Sequence, residues 1–519
     1  MTNADDFLKQ KHLFQLGDLP TETPHPKTVN LSDLAKTDIE RGLAVMREID
    51  LNALRKILVS KESLRPIFES VASTLDQGDR IFMVGCGATG RLSLSLEYLW
   101  RRKHKHSEQV ISLMAGGDVA LVHSLEGFED FPEYGARHLK QLGFAANDLL
   151  IATTEGGETP YVIGATEEAA RTSSRAPLFL YCNPPQVLCA KVERSKQVLT
   201  NPKIKNFYLE TGPMALTGST RMQASTVLML VVGLALEYGR DVERAFQDLQ
   251  GWIKFLESSS CGAMKSLITK EAETYAEGNF TCYTVDHFAM TVFTDTTERA
   301  PTFNLAPFDN PKHLTPRSSL TYIAIPGTRD ARSAWNYLLA RTPRPLNWPE
   351  VHKKASDDYL YTFDFSVNAL EFRRGLTPGK THYEFDITSH DQQLILKFRG
   401  IEERFPLYGK SELFDHLTLK MLLNMHSTLT FGRLNRFEGN LMTWVYPSNG
   451  KLVDRAARYT QILLRKLGRE FSYEDIVRAQ FASKAELSPA ESIVHKSIEK
   501  LLSGGDLQHG KAHRANSTA

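Results

Sequence analysis

The stretch Asp79-Arg-Ile-Phe-Met-Val-Gly85-Cys86-Gly87-Ala88-Thr89-Gly90-Arg91 decides how this chain is read. Its apolar run up to Gly85 predicts a buried strand, and Leu92–Arg102 beyond it has the spacing of a helix. Glycines between the two let the backbone turn tightly and approach a ligand, and free amides at the helix start favour an anion. Thr89 adds a hydroxyl donor. Spaced glycines of this kind also serve dinucleotides, but no clear acidic residue ends a second strand about 20 residues on. A lone phosphate is the better fit.

Outward from this turn the pattern repeats. Gln109–Met114, Asp148–Ala152 and Pro177–Cys182 predict strands, and Phe128–Leu142 and Tyr161–Arg171 predict helices between them. Apolar strands alternating with helices imply a parallel sheet covered on both faces. Thr226–Tyr238 predicts a long apolar helix that closes this unit. Before it, residues 1–30 read as a polar, proline-bearing arm lying over something else, and helical periodicity runs from Leu31 to about Leu75. A second unit begins near Gly278, with strands at Phe280–Val285 and Leu320–Ile325, a helix over Ala289–Glu298, and an alternating, β-rich stretch from Tyr383 to Phe398. From Glu412 helical spacing continues almost to Leu502, and the Gly-, His- and Ser-rich end predicts disorder.

The expected fold is therefore α/β: two doubly wound units with mainly parallel sheets, plus a helical C-terminal cap. The expected boundaries are an arm and helix over 1–60, a first unit over 61–250, a second over 251–410, a cap over 411–503 and a disordered tail over 504–519.

Composition narrows the function classes. Lys+Arg is 62 and Asp+Glu is 61, so no global field recruits nucleic acid or an anionic membrane. The start lacks a basic region followed by an apolar stretch, and the longest apolar run, around Thr226–Glu237, is short of a membrane span. Five scattered cysteines form neither a disulfide framework nor a zinc spacing. A cytoplasmic location with no cofactor and no metal is expected.

Further candidates join the first turn. Thr153–Pro160 follows a strand and precedes a helix, and Gly218-Ser219-Thr220-Arg221 offers hydroxyls and a guanidinium before another helix. The C-terminal edge of an open α/β sheet is where ligands bind. Glu129 and Asp130 stand where a helix begins. Glu298 reads as a carboxylate at a helix end before Pro301, against the dipole preference and hence a hint of function. Glu97, in the middle of a helix, reads as a surface or packing residue.

Taken together, these motifs resemble the sugar isomerase (SIS) domain superfamily, and within it the N-acetylmuramic acid 6-phosphate etherases and the glucokinase regulatory proteins. The resemblance rests on the words TETPHPKT, GCGATGR, MAGG with LEGFED, TPYVIG, GPMALTGSTRM at Gly212–Met222, TERAPTF at Thr297–Phe303, KMLLNMHST at Lys420–Thr428, and GNLM with SNGKLVDRA up to Ala456. The etherase pattern is a single domain that dimerises, each site completed by the partner subunit. Here the glycine turn stands in the first half and TERAPTF in the second, while residues 284–290 (TVDHFAM) take the turn's place without its glycines. A duplicated, fused pseudo-dimer with one retained site is implied, as in the tandem regulatory proteins.

Carried over by position, the resemblance places phosphate on Gly87, Ala88, Thr89, Thr154, Gly156, Thr220 and Arg221. It places sugar hydroxyls against Glu126, Glu129, Glu298 and Lys420. Glu129 and Glu298 match the acid/base pair of the etherases, and the regulatory proteins keep them as sugar ligands. Departures are Ala88-Thr89 for the usual Thr-Ser, Gly156 and Glu158 where small hydroxyls or Ser-Gly-Arg are usual, Met214 for a glutamate, and Gln223 for a lysine. Two functions follow first from the resemblance: carbon–oxygen lyase action on an amino-sugar 6-phosphate, or a non-catalytic sensor that binds a sugar phosphate such as fructose 6-phosphate and a partner protein such as a sugar kinase. A sugar-phosphate aldose–ketose isomerase is the third.

Overall fold

The computed structural model describes residues 3–504 apart from 15, 106, 126, 313 and 316. The first sheet holds β1 (Ile81–Gly85), β2 (Val110–Met114), β3 (Leu149–Thr153), β4 (Leu178–Tyr181) and β5 (Lys205–Tyr208). All pair in parallel, in the order β2-β1-β3-β4-β5. The first three strands are buried along their whole length, because helices cover both faces. Ile81 and Met83 join a core with Leu64 and Ile67 of helix Lys61–Asp76 and Val227 and Leu228 of helix Gln223–Tyr238. Phe82 and Val84 point the other way, into a core with Tyr161 and Val162 of helix Pro160–Thr172. The alternation of side chains along a strand supplies both faces from one apolar run.

The second sheet holds β6 (Phe280–Val285), β7 (Thr321–Ala324), β8 (His382–His390), β9 (Gln393–Phe398) and β10 (Ile401–Pro406), in the order β10-β9-β8-β6-β7. Here β7, β6 and β8 run parallel, and β8, β9 and β10 form an antiparallel meander. The alternating stretch Tyr383–Phe398 is thus a hairpin. Its two turn residues, Asp391 and Gln392, both take positive φ, the conformation that matches strand twist in a two-residue connection.

Three differences from the sequence reading have physical causes. The helical run from Leu31 is three helices, Leu31–Thr37, Ile39–Val59 and Lys61–Asp76, broken at Asp38, whose carboxylate caps Arg41 N–H at 3.1 Å, and at Ser60. Glu298 is not at a helix end: its helix spans Ala289–Phe303 with Pro301 inside, and Asn304, in a left-handed conformation, ends it. The edge strand β5 has the sequence Lys-Asn-Phe-Tyr, whose mixed burial gives no apolar run to read.

The helical C-terminal part begins with Glu412–Arg433, which lies at the centre of the molecule. Leu413, Phe414 and Leu417 pack into the core of the first unit, and Leu419, Leu423 and Leu429 into that of the second. Helices Gly450–Lys466, Tyr473–Ala485 and Ile493–Leu502 follow. The N-terminal arm lies over this cap: helix Ala4–Gln10 packs on Tyr473–Ala485, and Arg455 Nε donates to the buried Glu22 carboxylate at 3.0 Å. The tail from 505 on lies outside the described residues. Among the described residues no helix is long and apolar enough to cross a membrane.

Candidate functional site

Between β1 and helix Ala88–Lys103 the chain turns in two residues, Cys86 and Gly87. A side chain at Gly85 would put its Cβ 2.3 Å from the Thr89 carbonyl carbon, so only hydrogen fits there. Gly87 precedes the helix with φ +54°, a conformation that side chains other than glycine rarely adopt, and faces open space. Ala88 is the first helical residue. The Thr89 hydroxyl is engaged within the turn, accepting from Cys86 N–H and donating to Cys86 C=O, each at 2.9 Å. It braces the turn, and the open face belongs to the backbone at the helix start.

Two carboxylates from opposite units reach this turn and the first turn of the helix after it. Glu129, in a short 3-10 turn over Phe128–Asp130, lies 3.0 Å from the Cys86 thiol, which donates to it. Glu298 of the second unit pairs with Arg91 at 2.6 Å, and Arg91 Nε donates to the neighbouring Thr297 hydroxyl at 3.0 Å. A small cavity of about 30 Å³ opens where Ala88, Arg91, Arg221, Glu298, Lys420 and Asn424 converge. Glu126 lies outside the described residues.

The remaining expected residues divide. Thr154 and Gly156 stand in the segment after β3, beside β1; the Thr154 hydroxyl faces that of Thr159 at 3.0 Å, and the Gly156 carbonyl accepts from Asn183. Thr220 is half-buried just before helix Gln223–Tyr238. Arg221 is engaged across the interface through its two terminal nitrogens, pairing with Asp295 at 2.9 Å and donating to Ser427 and Thr428 of the central helix, while its Nε is buried without a hydrogen bond. Lys420 donates to the Arg221 carbonyl and the Thr226 hydroxyl, each at 2.8 Å, so it fastens the Gly218–Arg221 turn from below. Burial, with Arg221 adding repulsion, pulls its ammonium down to about 8.

Other residues at the site were not singled out from the sequence. Asn449, which caps helix Gly450–Lys466, donates to Glu129 at 3.4 Å, and Lys451 pairs with Glu158 at 3.2 Å. Both lie inside the word SNGKLVDRA, which was the available signal. Glu158 is also clamped by Arg194. Against burial, which raises it, Lys451 and Arg194 hold the Glu158 carboxyl at about 2. Glu155 is not clamped in this way: burial pushes it up to about 7, Lys451 counters this only in part, Glu298 and Glu129 add repulsion, and its Oε1 is buried without a hydrogen bond. Carboxylates of both units therefore share one electrostatic neighbourhood.

The pseudo-symmetric counterpart is closed. Glu97 stands as far from the start of its helix as Glu298 does from the start of its own. It is buried, paired with Arg341 at 3.0 Å and Arg344 at 2.9 Å, and against burial these arginines hold it at about 2. This supports the packing role read from the sequence.

Comparison with known proteins follows the same lines. A family model described as the glucokinase regulatory protein N-terminal SIS domain matches residues 64–169. The N-acetylmuramic acid 6-phosphate etherase of Rippkaea orientalis is 31% identical over 223 residues, 43% of this chain and 68% of that relative. The etherase of Thermosynechococcus vestitus is 32% identical over 235 residues, 45% of this chain and 70% of that relative. Among solved structures, the C-terminal domain of glucosamine-fructose-6-phosphate aminotransferase from Francisella tularensis superposes with a TM-score of 0.36 at 10% identity, covering 76% of this chain and 96% of that one.

Proposed function

Because the chain belongs to the N-acetylmuramic acid 6-phosphate etherase family of sugar isomerase (SIS) domain proteins, we propose that it binds a sugar phosphate between its two units. The phosphate rests on the helix start at Gly87 and Ala88, with the segment holding Thr154 and Gly156 beside it. The observation that carries this reading is the convergence of two carboxylates, one from each unit, at the start of the same helix: Glu129 on Cys86 of the glycine turn and Glu298 on Arg91 one helical turn further on.

Two carboxylates on opposite sides of a cleft suit elimination from an amino-sugar 6-phosphate. One removes the proton on the carbon beside the sugar's carbonyl. The electron pair forms a carbon–carbon double bond as the ether carbon–oxygen bond breaks, and the departing lactate takes a proton. Water then adds across the double bond. Such work needs an acid and a base in different environments. The surroundings differ here: Glu129 meets a thiol and an amide, Glu298 a guanidinium.

One observation favours a second reading, a sensor whose ligand sets the position of the cap. Asn449 and Lys451 reach from the cap helix to the carboxylates of the site, so ligand binding would act directly on the cap. The sensor's output would be altered affinity for a partner protein such as a sugar kinase.

The test is a panel of sugar 6-phosphates, with thermal shift for binding and lactate release for chemistry, on wild type and Glu298→Gln. A lyase variant keeps its ligand and loses turnover by orders of magnitude. A sensor variant loses about 1–3 kcal/mol of binding through a weakened charged hydrogen bond, with no turnover in either protein. Wild-type binding together with wild-type activity in the variant would remove Glu298 from the site.

A further inference from the structure

In the second unit, the connection from β6 to helix Ala289–Phe303 occupies the place that the glycine turn holds in the first. Its residue His287 meets the start of the central helix, where Glu412 and His416 stand one turn apart. One ligand atom from each of these three side chains lies within 4.8 Å of those of the other two. Residues four apart on a helix share a face, so a single helix supplies two donors and the loop a third.

The His416 ring carries the second, independent observation. It is buried, 1% exposed, and its Nδ1 lies 2.7 Å from the Thr291 hydroxyl. That contact leaves Nε2 as the free donor, and Nε2 is buried with no hydrogen-bond partner. A buried nitrogen without a partner is costly unless something occupies its lone pair. A hydroxyl on the far nitrogen is the outer support that orients a metal-bound imidazole.

We propose that His287, Glu412 and His416 form a binding site for a zinc-class divalent cation, pinning the degenerate loop of the second unit to the start of the central helix. Two imidazoles and one carboxylate are a donor set that suits zinc, with a fourth position left for water. Donors around a tetrahedral zinc lie about 3.3 Å apart, so small side-chain adjustments bring these three into range. Glu412 is exposed and His287 half-buried, which gives the ion a way in.

Arg102 stands in competition. Its guanidinium lies 3.2 Å from His287 Nδ1 and 3.9 Å from the Glu412 carboxylate. It is a resident cation drawn by the same electron-rich groups, and a bound metal would displace it. The geometry therefore makes a prediction that a purely structural cluster would not: removing Arg102 tightens metal binding.

The experiment uses the full chain, stripped with a chelator and titrated with Co²⁺ and then Zn²⁺. Absorption reports four-coordinate cobalt and calorimetry reports zinc stoichiometry. Expected are one equivalent per wild-type chain with the four-coordinate cobalt spectrum, at least about tenfold weaker binding in His287→Ala and Glu412→Gln, and tighter binding in Arg102→Met. His287 and Glu412 are not part of a packed core, so both variants remain foldable, and a thermal melt without metal checks this. Wild-type affinity and spectrum in His287→Ala and Glu412→Gln would overturn the proposal. So would the absence of four-coordinate cobalt in both wild type and Arg102→Met. The readouts are independent of any sugar phosphate, so failure here leaves the glycine-turn site untouched.

Discussion

Glu155 holds a carboxyl that burial keeps near neutrality, at about 7, beside Glu129 and Glu298. Its pKa in the folded chain lies above the ordinary value of 4.5. Stability from the protonated form is therefore fully present below pH 4.5 and is lost as pH rises through 7. Glu155→Gln, which cannot ionise, is expected to stabilise the protein at pH 8 by up to about 3 kcal/mol and to change little at pH 5. Denaturant titrations at the two pH values check this; an equal effect at both would show that the carboxyl does not titrate there. Arg221 and Lys420 teach a related lesson. From the sequence Arg221 is expected on phosphate, as a guanidinium before a helix, and Lys420 on sugar hydroxyls through the family resemblance alone. In the fold Arg221 answers Asp295 and Lys420 answers backbone carbonyls, partners in other elements that no local pattern displays.

Elements were legible where burial is uniform. Strands β1 to β4 are buried and apolar apart from Ser112 and Thr153, because helices cover both faces of the sheet, and the turn after β1 announces itself through glycines. The end of the Glu298 helix was not legible, because Pro301 reads as a terminator although the helix runs on to Phe303. The metal-type cluster was illegible too, since His287 joins Glu412 and His416 only through packing of the second unit on the central helix. The glycine turn allows a direct test at this scale. At Gly87 an added Cβ meets no heavy atom within 4 Å, but the residue must adopt φ +54°. Gly87→Val should thus fold, at a cost of about 1–3 kcal/mol, with its side chain occupying the anion's place. Thermal shift should detect no stabilisation by any sugar 6-phosphate in this variant, whereas an undiminished shift would move the phosphate elsewhere.

Across the whole molecule, the two units face each other through helices Ala88–Lys103 and Ala289–Phe303, and the central helix packs into both cores. The tandem layout was legible because family words fall in different halves. What became of the second site was not. Glu97 could be read as packing, but its locking arginines, Arg341 and Arg344, lie in the second unit and are reached only through the fold. The two carboxylates thus have opposite fates: Glu298 pairs with Arg91 yet lines a small cavity, and Glu97 is sealed under the guanidinium groups of Arg341 and Arg344. If the glycine turn and Glu298 build one composite site per chain, calorimetry fixes the stoichiometry of any sugar 6-phosphate that stabilises the protein. One equivalent per chain, lost in Gly87→Val, is the predicted result; two equivalents, or one that survives in that variant, would contradict it.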